Sequence, residues 1–143
     1  KNTINIFSPS VIEDLTIHKK ESIFGTIIHE LSHLFYGYSK LNYIPLFNEG
    51  IAEYNRNSNC DNKISFKIPS LKQGKDSRYN YGVGHLLIAS IMEYFKDLGN
   101  IKIIEFLRKS SSEMSEEELF ILFKQVFEID ADLLIELKGG KEK

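Results

Sequence analysis

Apolar positions recur at helical spacing along most of the chain. From about residue 19 to 38 they form one pattern. Ile23, Phe24, Ile27, Ile28, Leu31, Leu34, Phe35 and Tyr38 fall in one arc of a helical wheel, roughly 120° to 260° round from His29. A second, shorter helix is predicted from Pro45 to Asn57, with Pro45 at a first-turn position where its missing N–H costs nothing. A longer one follows from Arg78 to Leu98, with Gly99 as its natural stop. Asn100 is expected to cap the next, Ile101 to Lys109. Ser115 and Glu118 make a capping-box pattern ahead of Leu119 to Phe127, in which Phe120, Phe123 and Phe127 are spaced as a core stripe. Asp130 opens a last short helix through Leu137. Two stretches alternate instead. Thr3 to Phe7 reads as a short strand, and Ile64, Phe66 and Ile68 between Lys63, Ser65 and Lys67 read as an edge strand. The expected fold class is mainly α with a small β component, an α+β arrangement of packed helices with a short edge sheet.

The polar side of the first helix carries the chemistry. His29-Glu30-Leu31-Ser32-His33 places two imidazoles four residues apart, so both can reach one metal ion from one helix face. Glu30 lies roughly 100° round the helix from His29. It is near the metal but off the ligand line, where a carboxylate can take a proton from water. The residues beside the histidines, Ser22, Gly25, Thr26 and Ser32, are small. A solvated helix face usually carries Lys, Glu and Arg. A face of small residues suits close approach of another element, and Gly25 costs about 1 kcal/mol of helix propensity against Ala.

Two histidines do not complete a catalytic zinc site, which usually has three protein ligands and one open position. The second helix offers Glu49 and Glu53, four apart and on one face, flanked by Gly50 and Ala52. One carboxylate can bind metal while the other accepts the remaining N–H of a ligating histidine and fixes its orientation. The spacing alone does not say which does which.

Together, His29-Glu30-x-x-His33 and Asn48-Glu49-Gly50-x-Ala52-Glu53-Tyr54 resemble the gluzincin metallopeptidases, closest to the aminopeptidase-N-like branch and its small relatives. The resemblance covers about residues 20 to 137, with its specific motifs in two short stretches. It implies a zincin-like catalytic core, one zinc ion, and zinc-dependent peptide-bond hydrolysis. It makes Glu49 the third ligand beside His29 and His33, and Glu53 the residue supporting a zinc histidine. Tyr81, in Tyr81-Gly82-Val83-Gly84-His85, is then the candidate oxyanion donor, with Tyr79 and His85 behind it. Two departures matter. The gap from His33 to Glu49 is shorter than in aminopeptidase N, and no Gly-x-Met-x-Asn strand lies upstream. Recognition of a free amino terminus is therefore not implied.

Composition narrows the alternatives. The 143 residues are 42% hydrophobic and 27% charged, as in a globular domain. They suit one metallopeptidase-like domain over residues 1–143, alone or within a longer chain. Eighteen Lys and Arg against 20 Asp and Glu leave a net charge of −2, which disfavours a general nucleic-acid binder. No apolar run approaches the ~20 residues that span a bilayer. The expected partner is a peptide or protein substrate. A single cysteine, Cys60, excludes an internal disulfide framework and a Cys-rich zinc module. The chain opens on Lys1, so an upstream leader and the compartment stay open. The main alternative is a catalytically silent zinc-binding regulatory or interaction domain. A metal-free helical interaction domain is the second.

Overall fold

The computed structural model describes residues 23–56, 68, 70–72 and 77–139. Six α-helices run through them: α1 Ile23–Tyr38, α2 Pro45–Arg56, α3 Ser77–Phe95, α4 Gly99–Lys109, α5 Glu116–Phe127 and α6 Ala131–Gly139, with one 3-10 turn at Lys96–Leu98 between α3 and α4. The sequence pattern places every one of these helices. Ser115 caps α5 by the expected reciprocal box: its side chain accepts from the Glu118 N–H while the Glu118 carboxylate accepts from the Ser115 N–H.

α2 is the centre of the arrangement, packed between α1 and α3. Its contact with α3 is backbone against backbone. A Cβ on Gly50 would overlap the Gly84 carbonyl, and one on Gly84 would overlap the Leu46 carbonyl. A side chain at either position has nowhere to go, because the obstacle is main chain rather than a movable side chain. Gly50→Ala is therefore expected to cost about 3 kcal/mol, the upper end of the usual range for overpacking. Denaturant unfolding of the variant checks this, and an unchanged midpoint would contradict the packing described.

Phe47 anchors α2 to the other end of the molecule. It stacks on Phe106 of α4 with ring centroids 4.7 Å apart, and Phe123 stacks on Phe127 at 4.3 Å within α5. All four rings are buried. Phe123 and Phe127 thus lie in the core as their spacing predicts, with Phe120 packed partly against it. The α1–α2 connection is fixed from outside. The Asn42 side chain donates to the Leu107 and Ser110 carbonyls, and the Tyr36 hydroxyl donates to the Asn42 carbonyl at 2.6 Å. These ties hold the α1–α2 connection against the end of α4.

Three expectations are corrected and one feature of α1 is added, four points in all. Among the described residues the fold class is all-α rather than α+β: 80% of them are helical and none is a strand. The predicted strand at Thr3–Phe7 lies outside the described residues, as do Ile64 and Phe66. Ile68, the end of the second alternating run, is buried but belongs to no ladder. Its N–H goes to the Asp132 carboxylate at 2.6 Å, so a side chain takes the place of a neighbouring strand. The chain just after it is held in the same way at Ser70, Leu71 and Lys72, all of which donate to the Glu116 carboxylate.

The second concerns α1: its small-residue face meets another element as expected, while its apolar arc is left exposed at several positions. Phe24 and Phe35 are 79% and 73% exposed, and Ile28 and Leu31 are also exposed. The face buried against α2 is the one bearing small residues and histidines. The third concerns Gly99. It has ordinary right-handed helical angles and begins α4 rather than stopping α3. It is small because a Cβ there would meet the Met92 sulfur at 2.8 Å. The fourth is that Asn100 is inside α4, whose N-cap is Leu98 with no side-chain cap.

Candidate metal centre

α1 and α2 meet through their polar, small-residue faces. Across that seam the Asn55 amide donates to the Ser32 hydroxyl at 3.0 Å, and Ser32 donates to the Ile28 carbonyl at 2.8 Å. This brace, next to His33 and three residues from His29, ties α1 to α2. His29 is buried, His33 is part-buried and its side chain a quarter exposed. Both rings point at Glu49.

Three ligand atoms converge. His29 Nε2 and His33 Nε2 are 2.9 Å apart, and Glu49 Oε2 lies 3.4 Å from the first and 3.5 Å from the second. In a tetrahedral zinc site with bonds near 2.0–2.1 Å, ligand atoms stand about 3.3 Å from one another. Small side-chain shifts bring the three to that spacing. Glu49 Oε2 is also buried with no hydrogen-bond partner among the described residues. A buried carboxylate oxygen in that condition is costly unless a cation is near. The group His29, His33 and Glu49 can hold a metal ion.

Glu53 stands behind His29. Its Oε1 lies 2.8 Å from His29 Nδ1, the distance of a charge-assisted hydrogen bond, although the ring N–H is turned off the line to the oxygen. A modest ring rotation aligns it. His33 Nδ1 has no aligned hydrogen-bond partner among the described residues.

The electrostatics follow from this crowding. Burial alone would lower the His29 pKa, but Glu49 and Glu53 outweigh it and raise the group to about 9. Contact with Glu49 raises His33 against the opposing effect of burial. Burial would raise Glu49, yet the two histidines hold it down at about 2. The metal-free site is thus a cluster in which protons occupy the place of a cation, and its members titrate together. The consequences for folding have definite signs. His29 is raised on folding from 6.5 to about 9, so its contribution is complete below pH 6.5 and is lost as pH rises through about 9. Glu49 is lowered from 4.5 to about 2, so its contribution is present above pH 4.5 and is lost as pH falls toward about 2. The melting temperature of the metal-free protein is therefore expected to fall between pH 6.5 and 9. A flat profile over that window would contradict the assigned contacts.

The remaining predicted residues are distributed as follows. Glu30 is exposed on α1, next to His29. Tyr81 of α3 is over a third exposed, with its ring centroid 5.7 Å from that of His29. Its pKa is raised by burial and by Glu49, Glu53 and Glu30, which places its phenol within the field of the site. Tyr79 points elsewhere, its hydroxyl donating to the Ser70 carbonyl at 3.3 Å. His85 packs against Tyr54 with ring centroids 6.2 Å apart, and burial with Lys138 nearby lowers its pKa. Cys60 lies outside the described residues. A separate depression of about 530 Å³, lined by Tyr36, Ile51, Ile88 and Met92 among others, contains none of His29, His33 and Glu49. Arg56 and Asn55 are site-related residues that the motifs do not reveal. A wheel of α2 would have placed both on the face shared with Ala52, turned toward α1.

No protein-family model, no curated protein and no solved structure matches the chain. The functional reading therefore stands on the chemistry of the site. No helix among the described residues is long and apolar enough to cross a membrane.

Proposed function

We propose that the protein is a zinc-dependent peptide hydrolase of gluzincin type. The observation that carries this reading is the convergence of His29, His33 and the buried, otherwise unpartnered Glu49 oxygen, with an exposed carboxylate one residue from the first ligand. His29, His33 and Glu49 hold the zinc, whose donor set of two imidazoles and one carboxylate is that of a hydrolytic site. Zinc there supplies Lewis acidity toward a scissile carbonyl and makes water a better acid. Glu30 accepts the proton of the attacking water and returns it to the departing amine. Tyr81 donates a hydrogen bond to the oxygen that gains charge as the carbonyl is attacked. Glu53 orients His29 and keeps its lone pair on the side facing Glu49.

The test pairs elemental analysis with cleavage of a peptide library. One zinc per chain together with cleavage that a chelator abolishes is the expected result. Zinc without cleavage would leave the silent binding module, and no zinc would remove both readings.

A further inference from the structure

Glu53 is a buried carboxylate with a second neighbour besides His29. Arg56, one turn on at the end of α2, brings Nη1 to 3.4 Å from Glu53 Oε1, the same oxygen that faces His29 Nδ1. The path of the arginine is made by the partner helix. A Cβ on Gly25 would stand 3.1 Å from both Cγ and Nε of Arg56, so the arginine stem lies across α1 at the one place on that face without a side chain.

We propose that Arg56 is a positioning residue for the metal centre. Laid over Gly25, it holds the Glu53 carboxylate against His29 and so sets the orientation of that imidazole toward the metal. Arg56 touches neither metal nor substrate and acts only through Glu53. The inference rests on the metal-site reading above. It names what the small residue at Gly25 makes room for, the Arg56 stem, against the helix-propensity cost of the glycine.

The test is zinc affinity, measured at neutral pH by competition with a chromophoric chelator, with circular dichroism as the check on folding. Arg56→Met keeps much of the stem and removes the charge. It is expected to weaken zinc binding by about tenfold, the lower end of the effect of losing a group that orients a metal ligand. In a Glu53→Gln background the same substitution is expected to change zinc affinity by less than about twofold, because its route to the metal is already cut. A merely structural arginine would weaken both backgrounds alike, and that result overturns the proposal. So does an unchanged affinity for Arg56→Met. Should Arg56→Met lose its helical signal, Arg56→Lys and Arg56→Gln make the comparison. Affinity kept by lysine and weakened by glutamine supports the proposal, and equal affinities overturn it. A parent protein that binds no zinc removes the metal-site reading and this inference with it, whereas tight parent binding with an inert Arg56 removes the inference alone.

Discussion

Replacing Glu30 with glutamine is expected to leave zinc bound and to reduce peptide hydrolysis by at least about 100-fold. The two halves of this result come from different features of the site. Glu30 is not among the converging ligand atoms, so the metal keeps its three protein donors. It is exposed, and surface changes of this kind usually alter stability by no more than about 0.5 kcal/mol. The amide keeps the shape and hydrogen-bonding reach of the acid, but it cannot take a proton from water. Zinc content, melting temperature and turnover on the same preparation separate the possibilities. Unchanged turnover would remove Glu30 from the mechanism. Lost zinc would mean that Glu30 is a ligand and that the division of labour on α1 is wrong.

Replacing His33 with alanine is expected to weaken zinc binding by more than about 100-fold, since the loss of a ligand should exceed that of an orienting group. The effect on the metal-free fold should be much smaller. The His33 side chain is a quarter exposed, and its removal leaves Glu49 still 3.4 Å from His29. The contrast appears in the melting temperature. With zinc at about a thousand times the parent's dissociation constant, binding adds about 4 kcal/mol to the parent's stability, and most of this should vanish in the variant. A variant that melts with zinc as the parent does would exclude His33 from the ligand set.

Much of this site is readable from the order of residues, and the reason is geometric. Residues four apart on a helix share a face whatever the rest of the fold does, so His29 with His33 and Glu49 with Glu53 are paired before any tertiary contact is known. Gly50 likewise announces a close helix crossing, and it is found against Gly84. The capping box at Ser115 is a local hydrogen-bond exchange and needs nothing beyond its own turn.

What the sequence misleads about is set by tertiary packing. The apolar arc of α1 is the obvious candidate for burial, yet the seam with α2 takes the opposite face. There His29 and His33 of α1 face Glu49 and Glu53 of α2, while Phe24, Ile28, Leu31 and Phe35 of the arc stay exposed. Ile68 alternates like a strand residue, but the Asp132 carboxylate satisfies its N–H, a contact that reaches across 64 positions and has no local signature. Arg56 escapes motif reading because its part depends on a gap in another helix. No one-dimensional pattern links Gly25 to Arg56.

The most direct test of the central claim is an anomalous difference map, recorded at the zinc absorption edge, from crystals of the protein grown with zinc. The account predicts one strong peak within bonding distance of His29 Nε2, His33 Nε2 and a Glu49 carboxylate oxygen, with Glu53 outside the coordination sphere. Zinc bound elsewhere, or a peak on the histidines with Glu49 turned away, would contradict it.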